Sequence, residues 1–167
     1  MEPMKEPLIE TITHLLTQLI EADFPSLKAQ RLSVKAERKC DYITQCELNN
    51  GIVIISFNER DMRRMGTPAR LGALAHELCH AERDLLKNPV LRFAEAARRF
   101  FLPITTTRDE RATDELVIAK GYGAQLLAFQ EYHDGRYKKY NKQDGLTQKE
   151  IRRRLMKSGS SLRTPKS

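Results

Sequence analysis

The sequence has little that would place it in a membrane or in an oxidising compartment. No stretch offers the roughly 18 consecutive apolar residues that a spanning helix needs. The most apolar early stretch, Pro7–Ala22, is broken by Glu10, Thr11, Thr13, His14, Thr17 and Gln18. The amino-terminal residues also lack the basic start, apolar run and small-residue cleavage site of a signal peptide, so a cytoplasmic setting is expected. There are only three cysteines, Cys40, Cys46 and Cys79, among 167 residues. Three cannot all pair within one chain, so they read as thiols, and the spacing of Cys40 and Cys46, with no second pair after them, does not suit a structural zinc knuckle. At this length, with 40% apolar residues, one ordinary core is expected and two domains of typical size are not.

Charge is abundant but unevenly spread. The net charge is +7 at pH 7. From Arg136 onward there are eleven Lys/Arg against two Asp/Glu, a net +9, which leaves the first 135 residues with eighteen against twenty, a net −2. A mildly acidic body with a basic end reads more readily as a solvated tail than as a nucleic-acid groove, so nucleic acid is not the favoured partner.

Pro7 followed by Leu8, Ile12, Leu15, Leu16, Leu19 and Ile20 predicts an amphipathic helix ending near Phe24-Pro25. Arg31–Glu37, Tyr42–Leu48 and Ile52–Phe57 read as strands, the last two flanking Asn50-Gly51, the dipeptide favoured in a two-residue hairpin turn. The expected sheet is small and antiparallel. Its continuous apolar run Ile52-Val53-Ile54-Ile55 is expected to be covered on both faces. Thr67-Pro68 opens a helix to about Leu86, with Thr67 as its cap. Further helices are expected at Val90–Leu102, from Arg108 to Lys120 and over Ala124–His133. Thr147-Gln148-Lys149-Glu150 is a capping-box pattern that starts a short basic helix. The fold class is α+β, with a domain over 1–140, a capped basic helix over 141–157 and a disordered tail over 158–167.

Within the long helix lies His76-Glu77-Leu78-Cys79-His80. Residues four apart share one helical face, so His76 and His80 can aim their rings at one metal ion, with Glu77 beside them to act on a bound water. The motif sits among Leu71, Leu74, Ala75, Leu78, Cys79 and Ala81, an apolar setting in which ring nitrogens and a carboxylate need partners. A catalytic zinc normally takes three protein ligands plus water. No nearby histidine follows His80, which leaves a carboxylate on a later helix. Glu110 is favoured, because Asp114 shares its helical face and can accept a ring N–H from a zinc-bound histidine. Two alternatives stand beside it: Thr107-x-x-Glu110 is itself a capping box, and Glu95 is a rival ligand.

His76-Glu77-Leu78-Cys79-His80, with Glu110-x-x-x-Asp114 and then Gly121-Tyr122, resembles the gluzincin zinc metallopeptidases. The likeness is greatest to the group of the CAAX prenyl proteases and HtpX-like proteases and to its small soluble relatives, the minigluzincins. It covers roughly residues 52–129 and is specific only at the motifs. The resemblance implies a zincin-like helical core, one catalytic Zn2+ on His76, His80 and Glu110, Glu77 as general base, Asp114 supporting a histidine, and a peptide or protein substrate. The chain lacks the spanning helices of the membrane members, so a lipidated substrate is not implied. It also implies a latent form, in which the basic end blocks the cleft. The expected activity is that of a zinc-dependent endopeptidase. His133 and Tyr122 are the candidate stabilisers of the developing oxyanion, and Tyr132 and Tyr137 lie near them in sequence. Cys79 reads as packing rather than as a nucleophile.

Three rival functions remain. The sequence His-Glu-Leu-Cys-His-Ala and the basic end suggest a DNA-associated protease of the SprT type, though the third histidine and Cys-rich module of that type are missing. An ImmA-like regulatory peptidase would use Glu95. A non-catalytic regulatory protein would use Gly145–Ile151 to open a helix-turn-helix, but only one helix follows before Ser158.

Overall fold

The computed structural model describes residues 7–87, 104–136 and 145–158. Its class is the α+β expected from the sequence. Helix α1 spans Leu8–Asp23 and buries Leu8, Ile12, Leu16, Leu19 and Ile20, the stripe its helical spacing predicts. A 3-10 turn at Pro25–Leu27 leads into strands β1 (Arg31–Glu37), β2 (Thr44–Asn49) and β3 (Ile52–Asn58).

The hairpin between β2 and β3 forms at Asn50-Gly51, both of which take positive φ, 45° and 76°. That is the backbone a two-residue turn of matching twist requires, and Asn and Gly tolerate it best. The third strand differs from expectation. β3 is central, β2 pairs with it antiparallel, and β1 pairs with it in parallel, so the sheet is mixed rather than antiparallel throughout. The reason is the connection: β1 reaches β3 only after a loop and the whole of β2, long enough for the chain to re-enter in the same direction. The both-face cover expected for β3 is also corrected. Val53, Ile55 and Phe57 are fully buried while Ile52, Ile54 and Ser56 alternate with them on a half-covered face. An apolar run records hydrophobicity, whereas the pleat assigns alternate residues to opposite faces.

A short helix α2 (Glu59–Arg64), which periodicity did not indicate, follows β3 directly and is capped by Asn58 accepting from the Asp61 amide at 3.1 Å. Helix α3 (Thr67–Leu86) then runs through the centre of the molecule. Its cap is Gly66 rather than Thr67, so the helix begins one residue earlier than expected, with Pro68 still in the first turn, where its missing N–H costs nothing. Leu74, Ala75, Leu78 and Cys79 are wholly buried. Each such leucine contributes about 2 kcal/mol of burial.

Helix α4 spans Ile104–Ala119, α5 spans Gly123–Arg136 and α6 spans Gln148–Ser158. Gly121, at φ 92°, ends α4 in the left-handed conformation that glycine takes freely. Packing of α3 on α5 depends on Gly72, where a Cβ would collide with the backbone of Gln125. This close crossing sits one turn before His76. The capping box at Thr147 is formed on both sides: the Glu150 amide donates to Thr147 Oγ1 at 3.2 Å and the Thr147 amide to Glu150 at 2.9 Å. Leu146 and Ile151 belong to the same apolar core as α1, the sheet and α3. The helix expected at Val90–Leu102, the rival ligand Glu95, Tyr137 and the tail after Ser158 lie outside the described residues.

Candidate metal centre

The central segment of α3 meets α4 at a cluster of polar side chains. His76 Nε2, His80 Nε2 and Glu110 Oε2 converge: the two nitrogens are 3.0 Å apart, and Glu110 is 3.0 Å from His76 and 3.3 Å from His80. The two imidazoles stand nearly edge to face, with centroids 4.7 Å apart. Among the described residues, this trio is the group of His, Cys, Asp and Glu side chains disposed to hold a metal ion.

The surrounding hydrogen bonds fix which atoms carry protons. Asp114 is fully buried and its Oδ1 lies 2.9 Å from His76 Nδ1, so that nitrogen donates, and in the neutral ring Nε2 presents a lone pair to the centre. On His80, Nδ1 lies 3.3 Å from Thr113 Oγ1. The single proton of Thr113 goes to the Asp109 carbonyl at 2.9 Å, and its oxygen already accepts from Arg83 at 2.6 Å. Thr113 therefore accepts from His80 Nδ1 as well, and His80 Nε2 also turns a lone pair inward. Two imidazole lone pairs and a carboxylate then face one another at van der Waals distance or closer. Such an arrangement repels itself unless a cation sits in it.

A proton is the smallest cation that can sit there. Burial alone would lower the His76 pKa, but the hydrogen bonds it donates to Asp114 and Glu110 outweigh this and push the group up to about 10. Burial likewise raises Glu110, yet the two histidines drive its carboxyl well below the usual range. The two carboxylates thus favour positive charge at His76. A tetrahedral ion with metal–nitrogen bonds of about 2.0–2.1 Å has ligand atoms roughly 3.3 Å apart, close to the observed triangle. The donor set fits a divalent ion such as zinc, with two imidazoles and one carboxylate as ligands.

Glu110 is thus brought to the histidines as expected, and Asp114 orients His76. The capping-box reading of Glu110 does not hold, because α4 begins at Ile104 and Thr107 lies inside it. Glu77 is nearly buried, and its Oε1 accepts from Thr44 at 2.8 Å, across from β2. Both residues line a cleft of about 900 Å³ that also contains His76, His80, Glu110 and His133. Tyr122 is not brought there. Its hydroxyl donates to Asp23 at 2.5 Å at the end of α1. Tyr132 is likewise engaged with Asp61 at 2.7 Å. Burial pushes the Cys79 thiol up to about 12, and its side chain is fully enclosed, which suits packing and not nucleophilic attack.

Thr44, Thr113 and Arg83 were not found by sequence reasoning. Arg83 follows His80 by three residues and Thr113 follows Glu110 by three, so helical spacing alone placed both on the right faces. Thr44 had no such signal, since it reaches Glu77 from the sheet. The basic end differs from the expected free tail over its described part. α6 packs on α4 and α5, with Arg152 paired to Glu131 at 2.7 Å and Arg111 to Glu150 at 2.5 Å. The end is thus paired with the body in both senses, a basic residue of the end with an acidic one of the body and the reverse.

Fold and site together define an α+β protein with a candidate metal centre built on a helical His-Glu-x-x-His motif. Comparison with protein-family models, curated proteins and solved structures yields no match. None of the described helices is long and apolar enough to cross a membrane.

Proposed function

We propose that this chain is a zinc-dependent endopeptidase of the gluzincin kind. The observation that carries the reading is the convergence of three lone-pair atoms, His76 Nε2, His80 Nε2 and Glu110 Oε2, in the cleft that Glu77 borders. Zinc supplies Lewis acidity in such a set and brings the pKa of a water molecule from about 16 towards 7. Glu77 performs the proton transfers. Thr44 pins its Oε1, so Oε2 takes the proton of the attacking water and passes it to the departing amide nitrogen. The orientation that Thr44 imposes spares the carboxylate a search among rotamers.

The substrate is read as an extended peptide. β2 is an edge strand of the sheet, and its residues Thr44, Gln45 and Cys46 line the cleft. A peptide laid along that edge gains main-chain hydrogen bonds, which hold any sequence alike, while side-chain pockets choose among sequences. His133 borders the same cleft and is the candidate donor to the developing oxyanion.

The test is metal content together with hydrolysis of a denatured, labelled protein. Wild type is expected to carry one zinc per chain and to cut the substrate, and Glu77→Gln to keep the zinc while losing about 10²-fold or more of the rate. Zinc-loaded protein that leaves the substrate intact both as the full chain and without the residues after Ser158, or Glu77→Gln that cuts normally, overturns the reading.

A further inference from the structure

Asp114 has two carboxylate oxygens and both are committed. Oδ1 holds His76 Nδ1 at 2.9 Å, and Oδ2 accepts the backbone N–H of Leu146 at 2.7 Å. The second donor comes from another part of the chain, thirty-two residues on, just before α6. Its approach is tight. A Cβ on Gly145 would run into Asp114 Oδ2, so only glycine lets this backbone come close enough for the Leu146 amide to reach.

The same short segment is clamped from outside. Arg111, one residue after Glu110 on α4, donates to the Gly145 carbonyl at 3.3 Å and to both carboxylate oxygens of Glu150, at 3.2 and 2.5 Å. Leu146 and Ile151 are completely buried, so α6 cannot leave without opening the core. A fully buried carboxylate with one lone-pair direction left unfilled is costly, and one free to turn does not hold an imidazole at a fixed angle.

We infer that the Gly145–Leu146 backbone is a positioning element of the metal centre: by holding Asp114 it sets the direction of His76, so that docking of the C-terminal helix and metal binding strengthen each other. The inference rests on the zinc reading of the trio. It assigns the basic C-terminal segment a supporting role, one that no motif in the sequence signals. Partners of ligating histidines are worth tenfold to a hundredfold in metal affinity, and what immobilises such a partner acts through the same term. Coupling between two binding equilibria is reciprocal, so zinc must protect the docked segment as much as the segment favours zinc.

The experiment uses the full chain. Zinc affinity by competition with a chromophoric chelator, and the visible absorption of the Co2+-substituted protein, are measured for wild type and Gly145→Ala. Hydrogen exchange of the Leu146 amide is followed in wild type with and without zinc. Gly145→Ala is expected to weaken zinc about tenfold or more and to shift the Co2+ bands, which a mere loss of stability leaves in place for the fraction still bound. Zinc is expected to slow exchange at Leu146 by a similar factor. If wild type binds zinc but folded Gly145→Ala binds it within twofold of wild type with unchanged Co2+ bands, the inference fails and the zinc reading stands. If Gly145→Ala does not fold, the exchange measurement decides alone: exchange at Leu146 that ignores zinc overturns the coupling. Wild type that binds no zinc overturns both.

Discussion

Two clusters of ionisable groups lie along α3, Glu82 of one only two residues after His80 of the other, and they are built on opposite plans. In the first, Glu82 accepts from Ser26 at 2.6 Å and pairs with Lys120 at 2.8 Å, while Lys120 also donates to the Asp23 carbonyl and lies over the Phe24 ring at 4.4 Å. Every charge there meets its complement within the chain. In the second, His76, His80 and Glu110 bring lone pairs together, and the groups behind them, Asp114 and Thr113, are set so that those lone pairs cannot turn away. Burial of charge is common to both. What separates a structural network from a ligand site is whether the cluster is complete without an added cation.

The largest expected effect breaks the comparison at its centre. Glu110→Ala is expected to abolish stoichiometric zinc binding and hydrolysis together, whereas Glu82→Gln keeps one zinc per chain. In wild type a chelator is expected to lower the melting temperature, since a ligand bound only by the folded state stabilises it, and in Glu110→Ala to leave it unchanged. Equal zinc content in the two variants, by elemental analysis, would erase the distinction drawn between the clusters.

Stability, not metal, is the readout for the first cluster. Lys120→Met leaves Glu82 nearly buried with only the Ser26 hydroxyl, and breaking a buried pair from one side costs about 3 kcal/mol. Replacing both, Glu82→Gln with Lys120→Met, is expected to recover part of that loss, because no unpaired charge remains. Urea unfolding of the single and double variants measures both. A Lys120→Met variant as stable as wild type would mean that water, not Lys120, compensates Glu82.

The two clusters were not equally legible in the sequence. His76, Glu77 and His80 declared themselves because a helix turns spacing into direction, and Glu110 with Asp114 repeated the device one helix later. Lys120 and Glu82 gave no signal, since each is a common residue, Glu82 within α3 and Lys120 just past α4, and their meeting depends on the crossing of α3 with the end of α4. The same holds for Thr44, which reaches Glu77 only because β2 lies at the sheet edge beside α3. In the fold, local rules succeeded where they are local: the Asn50-Gly51 turn, the α1 stripe, the Thr147 capping box. The direction of β1 was misread because strand pairing joins residues through a connection whose path the strands themselves do not encode.

The basic end sits between the two plans, and it yields the smallest effect. Its charge was read from the sequence as solvated, yet Glu150 and Arg111 pair across it. Hydrogen bonds from Arg111 and from the Thr147 amide hold the Glu150 carboxyl down at about 2, below its ordinary 4.5. A carboxylate whose pKa is lowered in the folded state adds stability that is complete above its unfolded value and is lost as pH falls through the folded one. The contribution of this pair is therefore expected in full above about pH 4.5 and to disappear towards pH 2. The side chains are about one-third exposed, so solvent screens the pair and the effect is modest. Glu150→Gln is expected to flatten the acid limb of the stability profile in that window while leaving neutral pH little changed, as thermal melts at pH 2.5, 4.5 and 7 would show. A variant profile parallel to wild type across all three would mean that Arg111 holds α6 through the Gly145 carbonyl and not through Glu150, which moves the clamp from a charge on the helix to the backbone beside Asp114.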